Sequence, residues 1–180
     1  MRIIAGELGG RRLKAPAGRG TRPTAERVRE ALFAMLGELD GDRVLDLFAG
    51  TGALGIEALS RGAASAVFVE RDSRVAGLLA DNLSALGLSP PRAEVRRADA
   101  LKALRTASPD SGKYDLVFVD PPYREAERWG SELSAVLPPL LASGGRVVVE
   151  SDRRAPLDLD LPVERSRRYG DTSITIHTQL

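Results

Sequence analysis

From residue 43 onward, short runs rich in β-branched and aromatic residues alternate with longer stretches of helical periodicity. Arg43–Phe48, Ala66–Glu70, Ala93–Arg97, Tyr114–Asp120 and Arg146–Glu150 have the pattern of strands, and three of them are nearly continuous in apolar residues. Strands apolar on both faces belong to a parallel sheet covered by helices on either side. Ala53–Arg61, Ser73–Leu86, Leu101–Ala107 and Glu125–Leu141 carry the intervening helical pattern, with Gly62 and Gly87 placed as C-terminal stops. Alternation of this kind predicts a doubly wound α/β sheet with right-handed crossovers.

Both ends depart from the rhythm. Pro162 precedes a run from Val163 to Tyr169, Gly170-Asp171 forms a turn, and Ser173–Thr178 alternates, so the last two strands are expected as an antiparallel hairpin. At the other end, Arg2–Ala5 and Arg11–Lys14 flank glycines as a small hairpin. Thr24 is placed to cap an amphipathic helix through Leu36, with Arg27 where Glu or Gln would complete a capping box. Ala15–Pro23, rich in Gly, Arg and Pro, is a mobile loop by composition. The expected architecture is α/β: a mostly parallel seven-stranded sheet ending in an antiparallel hairpin, with helices on both faces. At 180 residues, one domain is expected, with residues 1–40 as a basic extension and 41–180 as the core.

Charge sharpens the distinction between extension and core. Net charge is +1, but residues 1–30 hold eight Lys/Arg against Glu7, Glu26 and Glu30, a local balance of +5 that leaves −4 on the remainder. A basic end on a mildly acidic body suits a polyanionic partner. Cysteine is absent, which excludes disulfides, thiolate metal sites and cysteine nucleophiles. The single histidine, His177, sits in an alternating run and is expected to be structural, and no metal is expected. No apolar stretch approaches the ~20 residues of a membrane span and the basic start lacks a signal-peptide core, so a cytoplasmic protein without a membrane partner is expected.

The first strand leads into Asp46-Leu47-Phe48-Ala49-Gly50-Thr51-Gly52-Ala53-Leu54-Gly55, a strand, glycine turn and helix start. Gly50, Gly52 and Gly55 satisfy dinucleotide spacing, and Glu70 lies 20 residues beyond Gly50 at the end of the next strand, where a ribose-binding acid belongs. NAD therefore fits the spacing. Asp46 fits it poorly, because a carboxylate at the strand tip repels a pyrophosphate and attracts a cation. A ligand with a ribose diol, an adenine and positive charge in place of phosphates is S-adenosylmethionine. On that reading Asp46 faces its ammonium directly or through water, the glycines admit the ligand to the backbone, and Glu70 accepts from the ribose hydroxyls. Phe48, Thr51 and Arg71 complete the cofactor side. Asp99 accepts from the adenine amine, caps the helix from Leu101, or does both, beside the small wall of Ala100.

Asp120-Pro121-Pro122-Tyr123 ends the fourth strand. Two prolines cannot continue a ladder, so they hold an acid and an aromatic ring in a rigid turn. A flat, amino-bearing base needs such an acceptor and stacking face. In an open sheet the first and fourth strands are neighbours at the switch point, which brings this element to the glycine turn.

Asp46–Gly55, Glu70, Asp99 and Asp120–Tyr123 occur in the order and spacing of class I methyltransferases. The Asp-Pro-Pro-Tyr element resembles that of methylases acting on adenine N6, cytosine N4 or guanine N2. Arg2–Gly6, Arg11–Leu13, Thr21–Thr24, Arg27–Phe33 and Tyr169–Thr172 look like the RsmD family of 16S rRNA guanine-N2 methyltransferases, a likeness that covers essentially the whole chain. The resemblance implies transfer of a methyl group to guanine N2, with Asp120, Pro121, Pro122 and Tyr123 at the target amine. It implies 16S rRNA as partner, within a small-subunit particle or assembly intermediate, and a monomeric enzyme. Arg11, Arg12, Lys14, Arg19 and Arg22 are then expected on the RNA backbone, with Arg22 or Arg27 bordering the cleft. Arg124 either contacts the target nucleotide or pairs with Glu125 or Glu127. An adenine-N6 methylase, an NAD-dependent oxidoreductase and a non-catalytic ribosome-assembly module remain as alternatives.

Overall fold

The computed structural model describes residues 1–15, 26–107, 112–121 and 126–180. Seven strands, β1 (Arg43–Asp46), β2 (Ser65–Glu70), β3 (Ala93–Arg97), β4 (Tyr114–Val119), β5 (Leu141–Asp152), β6 (Val163–Tyr169) and β7 (Thr172–Thr178), form one sheet in the order β3-β2-β1-β4-β5-β7-β6. The first five are parallel, and β7 runs antiparallel to both β5 and β6. This is the expected class I methyltransferase sheet. Order reverses between β1 and β4, and the open end of that junction is where an α/β sheet receives its ligand.

Five helices cover it: α1 (Glu26–Leu36), α2 (Ala53–Ser60), α3 (Ser73–Leu86), α4 (Ala100–Arg105) and α5 (Ala126–Val136). The first three pack on one face, where Phe33, Leu59 and Leu79 meet Val44, Phe68, Phe118 and Ile174. On the other, Leu101 and Leu104 of α4 and Trp129 and Leu133 of α5 meet Leu45, Val117 and Val147. Alternate residues of the central strands therefore enter different cores, which is why those strands are apolar throughout. Ile3 and Leu13 of the N-terminal segment join the first core.

Local chemistry sets the boundaries. Asp72 caps α3 by accepting from Arg74 N and Val75 N, and Gly87, at φ 74°, ends it with a hydrogen bond from Leu88 N to Leu83 O at 2.9 Å. Helix α2 stops one residue before Arg61, and Gly62 follows at φ 111°. The predicted helix through Leu141 ends five residues early, at Val136. Leu137, Leu140 and Leu141 keep helical spacing, but Pro138 and Pro139 donate no hydrogen bond, so residues 138–140 form a 3₁₀ turn. The fifth strand correspondingly begins at Leu141 instead of Arg146, pairing with Tyr114 before an irregularity at Gly144-Gly145. The first strand closes at Asp46 rather than Phe48, and α4 ends at Arg105 rather than Ala107. The predicted N-terminal hairpin is present around a bridge between Arg2 and Arg12. His177 lies buried in β7, its Nδ1 against Leu161 O at 3.0 Å. The Thr24 cap and most of the Ala15–Pro23 loop lie outside the described residues.

Among the described residues, no helix is long and apolar enough to cross a membrane.

Candidate active site

The glycine turn is held from two sides. Gly50 and Gly52 have φ of 55° and 84°, left-handed values that favour glycine. Glu70, at the tip of β2, accepts from Gly50 N at 3.0 Å through Oε2 and from Asp72 N at 2.8 Å through Oε1. Gly52 stands at the N-cap of α2 with no side chain to offer, and Asp46 substitutes for it by accepting from Gly55 N at 3.0 Å. The strand-tip acid thus caps the helix that follows its own strand.

The three glycines differ in what a side chain would meet at each. A Cβ on Gly50 would meet only Phe48 O, at 3.9 Å, so this position is open. On Gly52 it would lie 2.4 Å from Leu79 Cδ1, and on Gly55 2.4 Å from Phe68 Cε1. Gly52 and Gly55 are there for helix packing.

Neighbouring strand ends gather acids. Asp46 is paired in register with Phe118, two residues before Asp120, and Val119 pairs with Val149, which sets Asp120 beside Glu150. Asp46 is 3% exposed. Burial, reinforced by the nearby Glu70 charge and opposed by the Gly55 hydrogen bond, pushes its carboxyl up to about 7. Asp120 is raised well above the usual carboxylate range by burial and then by the charges of Glu150 and Asp46. None of the ion pairs among the described residues involves Asp46 or Asp120. Charged carboxylates here repel one another, and a cation brought between β1 and β4 relieves them. The described residues contain no group of His, Cys, Asp and Glu fit to hold a metal ion.

Other predicted residues take up defined places around this rim. Ala98 N donates to Glu70 O at 3.2 Å, tying the end of β3 to β2. Asp99, exposed, caps α4 by accepting from Leu101 N and Lys102 N, both through Oδ1. Ala100 is buried behind it. Phe48 packs edge-on against Trp129, centroids 4.9 Å apart, and Thr51 O accepts from Asn82 Nδ2 at 3.1 Å. Arg71 is exposed and Pro121 buried. Pro122, Tyr123 and Arg124, together with Arg19 and Arg22, lie outside the described residues.

The basic N-terminal segment is docked rather than loose. The Arg11 guanidinium donates to Leu86 O and Ala85 O at the C-terminus of α3, so its charge is engaged by the helix end. Lys14 has its main chain clasped by Asn82 and its ammonium 3.9 Å from Asp81. Arg12 and Arg27 are exposed. Three features escaped sequence reasoning: Asn82, the buried Arg29–Glu57 pair and Glu150. Each is a polar residue at an apolar position of a helix or strand, and that misfit was the signal available.

Three comparisons bear on this geometry. The sequence profile of a family described as "Conserved hypothetical protein 95" matches residues 1–178. The "Putative rRNA methyltransferase YlbH" of Bacillus subtilis is 42% identical over 98% of this chain and 98% of its own length. "Ribosomal RNA small subunit methyltransferase D" of Escherichia coli is 44% identical over 69% of this chain and 61% of its own. Among solved structures, the "Putative methyltransferase yhhF" from Escherichia coli superposes with a TM-score of 0.84 at 35% identity, covering 99% of this chain and 97% of that one.

Proposed function

This chain belongs to the conserved hypothetical protein 95 family, and from that membership and the geometry of the cleft we propose that it is an S-adenosylmethionine-dependent methyltransferase acting on guanine N2 of small-subunit rRNA. The observation that carries the reading is the pair Asp46 and Asp120, on neighbouring strands beside an open glycine turn, both raised and neither in an ion pair among the described residues. A pyrophosphate would add negative charge to this rim, which disfavours NAD; a sulfonium with an ammonium neutralises it.

When bound, the cofactor supplies an electrophilic methyl group. Asp46, Gly50, Thr51 and Glu70 would hold its amino-acid and ribose portions, and Asp99 and Ala100 its adenine. An exocyclic amine is a weak nucleophile because its lone pair is delocalised into the base. The Asp120 carboxylate and Pro121 carbonyl, as acceptors for its hydrogens, favour the tetrahedral form and stabilise the positive charge that develops during attack. Tyr123 would stack on the ring and Pro122 stiffen the turn. The proton leaves after transfer, so no histidine base is required. A paired guanine cannot reach such a cleft, and the target is unpaired or extruded.

Incubation with methyl-labelled S-adenosylmethionine and 16S rRNA, both naked and in small-subunit particles lacking the modification, tests this. The expected product is N2-methylguanine at one position, formed by a monomer on the particle. Transfer to a different base, or to no RNA at all, overturns the reading.

A further inference from the structure

Strand β6 is exposed along nearly its whole length and on both faces, with Val163 at 59%. It is an edge strand exposed on both faces among the described residues, and its residues Val163–Tyr169 include Arg165, Arg167 and Arg168 against the single acid Glu164. Arg2, Arg61, Arg92, Arg96 and Arg105 each lie against a carboxylate. Arg165, Arg167 and Arg168 have no such partner among the described residues. Charges on an edge strand deter pairing with other chains, and lysine serves that purpose well. Arginine adds a planar fork matched to phosphate oxygens.

Register fixes where these charges stand relative to the cleft. Asp120 lies beside Glu150, Glu150 pairs with Ile174, and Ile174 pairs with Arg167. Arg167 therefore occupies the cross-sheet row of the catalytic acid, three strand spacings or about 14 Å away. That distance is a few nucleotides of an extended strand. Arg165 and Arg167 pair with Ile176 and Ile174, whose side chains enter the core under α1, so both project on that face, where Tyr169 packs as well. Arg168 projects on the other. Beyond the end of β5, the exposed Arg153 and Arg154 follow, with Arg153 N donating to Asp171 O at 2.8 Å in the β6–β7 turn. The basic edge thus continues around the rim toward the cleft.

We propose that the edge strand β6, through Arg165, Arg167 and Arg168 with Arg153 and Arg154 at its upper end, is a phosphate-binding surface that holds the RNA backbone flanking the target nucleotide. It rests on the methyltransferase reading for the identity of its RNA. It differs from the N-terminal segment, where Arg11 is already occupied by α3.

The test is a triple substitution, Arg165→Gln with Arg167→Gln and Arg168→Gln, beside the matching triple lysine variant. Affinity for naked 16S rRNA and for the particle is measured across salt concentrations, and S-adenosylhomocysteine binding by calorimetry. The glutamine variant should bind both RNAs about tenfold or more weakly, with a log–log salt slope smaller by about two to three. Cofactor binding and melting should stay unchanged, and the lysine variant should keep the wild-type salt slope. Unchanged RNA affinity and slope overturn the proposal. A loss confined to the protein-containing particle also overturns it, assigning β6 to a protein partner. Absence of methyl transfer by the wild type would sink the enzymatic reading alone, while a lost salt slope in the glutamine variant would still uphold β6.

Discussion

The carboxamide of Asn82 grips the main chain of Lys14 from both sides, accepting from its N–H at 2.8 Å and donating to its carbonyl at 3.1 Å. Its second amide hydrogen reaches Thr51 O at 3.1 Å, so one buried side chain joins the N-terminal hairpin, α3 and the glycine turn. Asn82→Ala should cost about 1–2 kcal/mol, because Lys14 and Thr51 are solvent-accessible enough to recover part of their hydrogen bonding from water. Loss of the Thr51 anchor should also shrink the melting increment given by S-adenosylhomocysteine. An unchanged increment in the variant would remove Asn82 from the cofactor side.

The three glycines of the turn should separate by experiment. Gly55→Ala drives a methyl into the buried Phe68 ring and should destabilise by about 1–3 kcal/mol. Gly52→Ala adds left-handed strain to a clash with Leu79 and Ile56 and should be worse. Gly50→Ala meets only Phe48 O at ordinary van der Waals distance but carries φ of 55°, at a cost of roughly 1–2 kcal/mol. Its distinguishing effect is on cofactor affinity, since its Cβ enters the open side of the turn. Denaturant midpoints paired with calorimetric binding would show whether this division holds.

Asp46 should make the ligand-free protein less stable as pH rises. Its carboxyl is raised from 3.8 to about 7, so between those values the folded state holds a proton that the unfolded state has released. The stabilisation is complete below the ordinary carboxylate range and is lost as pH climbs through about 7, a change of about 4 kcal/mol for a fully buried group. Asp120, raised in the same direction with Glu150 beside it, adds to the slope. Asp46→Asn keeps an acceptor for Gly55 N and should flatten the decline of melting temperature between pH 5 and 8. Equal slopes in the two proteins would show that Asp46 does not titrate in this range.

Periodicity sufficed for the sheet because two hydrophobic cores impose apolar residues on every central strand, and Gly62, Gly87 and Pro162 mark real ends. It failed at Leu137–Leu141, where leucine spacing continues past prolines that end the helix. Motif spacing located Asp46, Glu70, Asp99 and Asp120 along adjacent strand ends. The cap that Asp99 gives α4 was legible as well, but spacing could not reveal that Asp46 caps α2, that Glu70 braces Gly50, or that Gly55 faces Phe68. Those relationships depend on which strands become neighbours. The same dependence hid the β6 arginines, which in sequence lie far from Asp120 but in the sheet share its row.

Glu57 is the strongest test of how the extension is attached. Wholly buried in α2, it accepts from Ile4 N at 2.8 Å, Ala5 N at 3.1 Å and Arg61 Nε at 2.8 Å, with the Arg29 guanidinium 3.8 Å away. Burial pushes Arg29 down and Glu57 opposes that shift, so the carboxylate is what permits a charged arginine inside the first core. Glu57→Gln turns one acceptor into a donor facing a main-chain N–H or a guanidinium and leaves Arg29 without its buried counter-charge, with only the more distant Glu26 remaining, at a cost of about 3–5 kcal/mol. The segment from Ile3 to Leu13 should then release, and limited proteolysis should cut within it before the sheet is attacked. Arg2→Ala, which breaks only the exposed pair with Glu26, should leave that segment protected. If Glu57→Gln melts normally and residues 1–15 resist protease, the hydrophobic contacts of Ile3 and Leu13, rather than the buried charges, hold the extension in place.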